Sequence, residues 1–228
     1  AHNKAFDILS PKEQLSHLKE SKNILEQIIG EEVISFRAPA LRVTKTIPSI
    51  LLEAGYKVDS SVSSQRLDMF FSFGSINKLR WITAPRQCYY TKDDNIFKKG
   101  HSDLFEIPIS AFGLPYIGTF MRISPVLNRF TRTLLYWESC INSRPFVFLT
   151  HPNEFIDEEY ESKNIQRRAK NYFAYIMGDV IRHKLKTRNL GAKALPLLER
   201  ELEFFASKQL TFSTCKQMYI NNINNHAK

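Results

Sequence analysis

The fold class is decided by residues Ser10–Val62, which read SPKEQLSHLKESKNILEQIIGEEVISFRAPALRVTKTIPSILLEAGYKVDSSV. Ser10 is a typical N-cap, Pro11 fits the first position of a helix, and Glu13 completes a capping box. Leucine and isoleucine residues then recur at helical spacing until Gly30, which supplies a stop. The pattern predicts an amphipathic helix that begins after Ser10 and ends at Gly30.

Strands and helices alternate through the rest of this stretch. Val33–Phe36 predicts a short buried strand, and Lys45–Ala54 predicts a second helix that closes at Gly55. Tyr56–Val62 predicts the next strand. Helix–strand alternation at this short spacing is typical of parallel strands joined by crossover helices, so the sequence predicts an α/β fold.

The remaining sequence continues the alternation with less regularity. The predicted elements are an irregular β-rich segment at Gln65–His101, a strand at Phe105–Ile109, a loop at Gly113–Pro125, a helix at Leu127–Asn142, a buried strand at Phe146–Thr150, a basic helix at Ser162–Arg188, a helix at Leu195–Ser207, a strand at Leu210–Ser213 and a helix at Thr214–Ile223. We predict one domain with barrel-like alternation over residues 1–220, followed by a polar tail at residues 221–228.

Composition indicates a globular protein. The chain has 228 residues, of which 43% are hydrophobic and 24% charged, so it can bury a full core. Its net charge of +9 favours acidic partners such as nucleic acid or anionic glycan. However, the basic residues of Lys163–Arg188 alternate with aromatic and aliphatic residues at core-like spacing. We therefore expect a packed helix with a charged outer face, and we do not expect nucleic acid as a partner.

The cysteines bear on the compartment and on metal binding. Cys88, Cys140 and Cys215 are far apart and lack Cys-x-x-Cys spacing, which argues against a disulfide framework and against a thiolate zinc site. Unpaired cysteines favour the cytoplasm, while a cell-envelope location stays open if a signal precedes Ala1. No run of residues is long and apolar enough to predict a transmembrane segment.

Polar residues follow three predicted strands at the point where each strand ends. They are Arg37, Asp59 and His151, the last within FVFLTHPNEFID at Phe146–Asp157. The carboxyl ends of parallel strands meet at one mouth of an α/β barrel, where active sites are built. There an aspartate can polarise an imidazole, and an arginine can tune a carboxylate or bind substrate. Each residue also has a structural interpretation: a surface ion pair, a turn, or a buried imidazole.

The order of motifs resembles the polysaccharide deacetylase family, also called the NodB-homology domain or carbohydrate esterase family 4. The motifs that carry the resemblance are His2 before LSPKEQ, FRAP at Phe36–Pro39, GYKVDSSVS at Gly55–Ser63, FEIPIS at Phe105–Ser110, GTFMRISP at Gly118–Pro125, LTHP at Leu149–Pro152 and LEFFASKQLTFSTCKQM at Leu202–Met218. The His-Pro-x-Glu form of HPNEF is similar to the peptidoglycan-deacetylase-like branch of that family.

The resemblance implies a distorted (β/α) barrel of the NodB-homology type. It also implies a metal-dependent hydrolase that removes N-acetyl groups from a polysaccharide, peptidoglycan-type or oligosaccharide substrate. The cofactor would be a divalent metal, zinc or a related ion, that activates water. An N-acetylated glycan is therefore the expected partner.

The resemblance also implies roles for individual residues. His2 would be a metal ligand and His151 the general acid, while Asp59 would orient His151 and Arg37 would tether the catalytic base. Substrate contacts are implied for four further residues, with the backbone N–H of Ala40 as an oxyanion donor; they are Pro39, Ala40, Leu149 and Arg122.

The sequence departs from the family's pattern at its beginning. The family's first strand supplies an Asp-Asp pair, and its first metal-binding histidine precedes the second; none of these has a counterpart here. The base and two of three metal ligands are therefore missing, so we expect a longer chain toward the amino terminus. The alternatives are a non-catalytic glycan-binding remnant and a basic nucleic-acid-binding protein. The aromatic loop Phe112–Phe120 could line a substrate groove or mediate homo-oligomer formation.

Overall fold

The computed structural model describes residues 5–66, 76–157, 180 and 182–226, which belong to two compact units. Unit 1 consists of Ala1–Pro115, Leu134–Val147 and Phe212–Lys228, and unit 2 consists of Tyr116–Thr133 and Phe148–Thr211. Each unit is thus built from separated stretches of the chain. The predicted single domain over residues 1–220 stays a prediction.

A five-stranded mixed sheet forms the centre of unit 1. Its strands are β1 (Ser35–Phe36), β2 (Val58–Asp59), β3 (Tyr89–Lys92), β4 (Asn95–Lys99) and β5 (Phe105–Glu106), in the spatial order β1-β2-β5-β3-β4. The first three strands in that order are parallel, and β3 and β4 add an antiparallel hairpin. The predicted parallel α/β core is confirmed. The sheet formed by the described residues is not closed, so the barrel stays a prediction.

Helix α1 (Pro11–Ile29) begins and ends as its sequence predicts. The Ser10 Oγ accepts a hydrogen bond from the Glu13 N–H at 3.3 Å, and the Glu13 carboxylate accepts the Ser10 N–H at 2.8 Å. Gly30 ends the helix with a φ of 69°, a left-handed conformation that glycine adopts without steric cost. Helix α2 (Ile47–Glu53) packs against α1 and buries Ile47 and Leu51 completely.

The apolar core of unit 1 lies between the sheet and a carboxy-terminal helix. Ile34, Val58, Phe105 and Ile107 form the buried cluster, and Met218 packs against it. Met218 lies on the last helix, Cys215–His226, which contacts β2. This helix therefore contributes directly to the core.

Two predictions for the carboxy-terminal region are wrong. Leu210–Ser213 is not a strand, and the last helix runs to His226, so it includes most of the predicted polar tail. Leu210 does not pair in a sheet because its N–H donates back to the Phe205 carbonyl at 3.1 Å, which closes the preceding helix. A reciprocal cap then begins the last helix: the Thr214 Oγ1 accepts the Gln217 N–H at 3.1 Å, and the Gln217 Oε1 accepts the Thr214 N–H at 2.8 Å. This cap begins a helix directly after the extended segment.

Two segments that pass from one unit to the other along the chain also differ from prediction. Phe146–Thr150 is half-buried, and its only assigned pairing is an isolated bridge between Ile117 and Leu149, so it is not a buried strand. A side chain replaces part of the ladder, because the Ser110 Oγ accepts the Val147 N–H at 2.9 Å. The predicted loop at Gly113–Pro125 contains a six-residue helix, α3 (Gly118–Ile123).

The remaining strands form a short hairpin, β6 (Ala111–Phe112) with β7 (Leu114–Pro115), and the remaining α-helices are α4 (Pro125–Asn142), α5 (Arg182–Thr187), α6 (Leu195–Ser207) and α7 (Cys215–His226). The described residues also form 3₁₀ helices at Phe6–Ile8, Pro39–Leu41, Ile76–Thr83, Pro152–Phe155 and Gly191–Lys193. The predicted bounds of α6 are confirmed, and α4 begins two residues earlier than predicted. Only the last part of the predicted basic helix lies within the described residues. Among the helices of the described ranges, none has the length and apolar character that a membrane crossing requires.

Candidate functional site

Polar side chains follow the parallel strands of unit 1 at one edge of the sheet. Arg37 directly follows β1, Asp59 ends β2 and Glu106 ends β5. The register pairs Phe36 with Asp59 and Asp59 with Glu106. Because these strands are parallel neighbours, their carboxyl ends bring the three residues together. We call Arg37, Asp59 and Glu106 the strand-end site.

Asp59 is completely buried and held by Ser61. Its Oδ1 accepts the Ser61 hydroxyl at 2.7 Å, and its Oδ2 accepts the Ser61 N–H at 3.1 Å. The same hydroxyl accepts the Ala38 N–H at 2.9 Å. Asp59 is thereby linked through one serine to the turn that carries Arg37.

Arg37 is exposed but firmly anchored. Its Nε donates to the Ser60 carbonyl at 2.8 Å, and its Nη2 donates to the Ser60 hydroxyl at 2.7 Å. The Ser60 hydroxyl in turn donates to the Ile107 carbonyl at 2.8 Å. This chain of hydrogen bonds fixes the guanidinium direction, so an incoming polar group meets a preorganised charge.

Glu106 is the residue that sequence reasoning missed. It is completely buried, its Oε1 accepts the Val62 N–H at 3.0 Å, and it occupies the position paired with Asp59 on the neighbouring strand. The available signal was an acidic residue inside the apolar segment FEIPI. A buried carboxyl requires a specific partner, which its neighbour on β2 supplies.

Burial governs the ionisation of both carboxyl groups. Desolvation and the nearby Asp59 charge raise the pKa of Glu106 well above its ordinary value of 4.5. Desolvation also raises the pKa of Asp59, against hydrogen bonds from Glu106 and Ser61 that lower it. Asp59 therefore has more hydrogen bonds that favour its charged form than Glu106 has.

The turn after Arg37 presents two predicted substrate contacts, Pro39 and Ala40, which are both exposed. Ala40 and Leu41 have φ angles of 53° and 55°, in the left-handed region that alanine and leucine adopt at a steric cost. Beside this turn lies a largely apolar cavity of about 580 Å³, whose lining includes Phe6, Leu18, Phe36 and Pro39. Pro39 of this turn thus borders a space large enough for a small organic group.

Replacing Ala40 with glycine is expected to raise the free energy of unfolding by about 0.5–1 kcal/mol, because glycine removes the left-handed steric cost. Urea unfolding measures this change. The comparison variant is Ala38→Gly, where the native φ is −67°, so glycine adds unfolded-state entropy and removes a buried methyl group, and stability falls. Equal losses in both variants would contradict the strained turn.

Unit 2 contains His151, Leu149 and Arg122 around a second buried carboxylate, Glu154. The Glu154 Oε1 accepts the Thr119 hydroxyl at 2.7 Å and the Arg122 Nη2 at 3.1 Å. The Oε2 accepts the Thr150 hydroxyl at 2.9 Å. The cluster fixes the backbone of the LTHP turn, on which the His151 side chain is exposed.

Arg122 is 3% exposed, and its Nη1 also donates to the Arg188 carbonyl at 2.8 Å. Burial raises the pKa of Glu154, but hydrogen bonds from Thr119, Arg122 and Thr150 outweigh it, so the pKa lies below its ordinary value. Arg122 and Glu154 thus form a buried ion pair. A substrate contact by Arg122 stays a prediction.

The predicted residues fall into two groups. Arg37, Pro39, Ala40 and Asp59 lie in unit 1, and Leu149, Arg122 and His151 lie in unit 2, so the pairing of Asp59 with His151 stays a prediction. His2, the predicted metal ligand, lies outside the described residues. Within the described ranges, no three His, Cys, Asp or Glu side chains are grouped to hold a metal ion. These side chains alone do not fit the expected zinc centre.

Comparisons with known proteins give little similarity. A scan against protein-family models and a search of curated proteins give no match. A search of solved structures gives a candidate polysaccharide deacetylase from Mycobacterium smegmatis, with a TM-score of 0.40 and 15% sequence identity. The alignment covers 90% of this chain and 60% of that protein, so this chain spans less than two thirds of its length. A similarity this weak carries no weight for the function of the chain.

Proposed function

We propose that the chain is a carbohydrate N-deacetylase, a hydrolase that removes acetyl groups from an N-acetylated glycan. The observation that carries the proposal is the strand-end site, where Arg37 and Asp59 of two motifs lie at the ends of adjacent parallel strands. The ordered FRAP, VDSS and LTHP motifs support the same class of enzyme through their resemblance to polysaccharide deacetylases.

In this proposal each described residue has a limited task. The anchored guanidinium of Arg37 orients a carboxylate or a polar group of the substrate beside the turn. The backbone N–H of Ala40 donates to the amide oxygen that becomes negative when a water molecule adds to the acetyl carbonyl carbon, and the C–N bond then breaks to give acetate and the amine. Delivery of a proton to the leaving amine by His151, whose side chain is exposed on unit 2, stays a prediction. Since the described side chains hold no metal set, we assign no step to a metal.

A second candidate function is glycan binding without hydrolysis. The observation that favours it is the largely apolar cavity lined by Phe6, Leu18, Phe36 and Pro39. In this alternative the anchored Arg37 and the apolar cavity beside Pro39 would bind sugar without cleaving the amide.

Acetate release from N-acetylated chito-oligosaccharides separates the two functions. The protein in its native length is incubated with the oligosaccharide, free acetate and newly formed amine are measured, and binding is followed by calorimetry. We expect acetate and amine in equal amounts. Saturable binding without acetate would replace the hydrolase by the binding function, and neither binding nor release would contradict both.

A further inference from the structure

Glu106 has one carboxyl oxygen that no N–H or hydroxyl donor satisfies. Its Oε1 accepts the Val62 N–H, whereas Oε2 is buried and lacks a donor. The residue has no exposed surface, so bulk water does not compensate a charge there. A buried carboxylate oxygen in this position is costly unless the group carries a proton.

Asp59 is the natural acceptor for that proton. The two carboxyl groups occupy paired positions on adjacent parallel strands, and each influences the ionisation of the other. Two carboxylates in contact inside a protein do not both ionise, because their charges repel in a poorly solvated space. The hydrogen-bond donors around the two carboxyl groups determine which group keeps the proton.

The donors favour a charged Asp59 and a neutral Glu106. Asp59 accepts the Ser61 N–H and the Ser61 hydroxyl, while Glu106 accepts only the Val62 N–H among the contacts in this part of the structure. Arg37 contributes the nearby positive charge. The site then carries one negative charge on Asp59 and one positive charge on Arg37, and a second ionised carboxylate would leave a net negative charge.

We propose that Glu106 is a positioning residue of the strand-end site, which stays protonated at neutral pH and donates a hydrogen bond from Oε2 to Asp59. It thereby holds Asp59 as a single, oriented carboxylate behind Arg37. The inference of a shared proton depends only on the geometry of unit 1. Only its consequence for turnover rests on the proposed deacetylase function.

The titratable and charged groups around the pair leave this arrangement intact. Those that face it from the neighbouring elements are Arg37 after β1, Cys88 and Tyr89 at the start of β3, and Cys215 at the start of α7. Burial raises the pKa of Cys88 to about 12, so this thiol is neutral near pH 7. Burial also raises the pKa of Tyr89 and of Cys215.

The pH dependence of unfolding tests the shared proton without any substrate. A carboxyl whose pKa is higher in the folded than in the unfolded protein stabilises the fold fully below the unfolded pKa, here near 4.5. That stability is lost as the pH rises toward the folded pKa. Unit 1 should therefore unfold more easily with rising pH, and the unfolding constant should increase by up to about tenfold per pH unit.

The variant that isolates this effect is Glu106→Gln, whose amide N–H replaces the proposed proton. Both tryptophans, Trp81 and Trp137, lie in unit 1, so urea unfolding followed by tryptophan fluorescence reports on this unit. We expect the increase between pH 4.5 and 8 to be reduced in Glu106→Gln and kept in the control Glu20→Gln, which changes an exposed residue. The same pH dependence in all three proteins would overturn the proposal.

Infrared spectroscopy supplies a second readout that a merely structural role would not change. The wild type at pH 7 should show the C=O stretch of a protonated carboxylic acid, and Glu106→Gln should lack it. The absence of this band from the wild type would overturn the shared proton even if the variant failed to fold. Failure of the proposed function gives a different result, namely no acetate release with the band present.

Discussion

Replacing Asp59 with alanine is expected to destabilise unit 1 by about 3–5 kcal/mol. The substitution removes the acceptor of the Ser61 N–H and the Ser61 hydroxyl, and it leaves Glu106 without its partner. These groups are buried, so water does not replace the lost hydrogen bonds. Urea unfolding followed by tryptophan fluorescence measures the loss.

Two further variants show whether the loss comes from the buried network. Asp59→Asn keeps one acceptor oxygen and the side-chain volume, so it should cost clearly less than alanine. Asp103→Ala removes the same charge from an exposed position of unit 1 and should leave stability within about 0.5 kcal/mol of the wild type. A loss below about 1 kcal/mol for Asp59→Ala would show that the carboxylate is not the centre of the network.

Replacing Gly118 with alanine is expected to destabilise unit 2 by about 3 kcal/mol or more. The added Cβ would lie 2.0 Å from the Glu154 Oε2 and 2.6 Å from the Thr150 Oγ1, so the carboxylate would have to move. Its movement would separate the buried ion pair with Arg122. Both tryptophans lie in unit 1, so amide hydrogen exchange of residues 149–155 is the suitable measurement.

The matched control is Gly30→Ala. A Cβ there would meet no atom within 4 Å, but the φ of 69° makes alanine unfavourable by about 1 kcal/mol. We expect faster amide exchange around Glu154 only in Gly118→Ala. Unchanged exchange in that variant would mean that Glu154 is not held as the structure shows.

The local sequence signals predict the first helix and the parallel strands because the relevant forces are local. The Ser10–Glu13 capping box and Gly30 define α1 through contacts within a few residues. The connection between β1 and β2 contains helix α2, and a crossover of this length with a helix is how parallel neighbouring strands are joined. The same logic places Arg37 and Asp59 at one edge of the sheet.

The predictions fail where contacts between residues far apart in the sequence determine the local structure. Phe146–Thr150 has the composition of a buried strand, yet the Ser110 side chain takes the Val147 N–H, and a single bridge remains at Leu149. Glu106 escaped notice because its partner lies 47 residues away on another strand, so no spacing within FEIPI signals it. The buried pair of Arg122 with Glu154 depends in the same way on separated segments.

The deacetylase proposal is tested most directly by comparing acetate release from an N-acetylated chito-oligosaccharide between the wild type and Arg37→Gln. The guanidinium is anchored to Ser60, and in our proposal it orients a carboxylate or a polar group of the substrate. Its loss should therefore lower kcat/KM by about 10- to 100-fold. The control Lys57→Gln removes a positive charge from an exposed position two residues before Asp59 and should keep wild-type activity. Acetate release that is equal in all three proteins, or absent from the wild type, would contradict the strand-end site as a deacetylase centre.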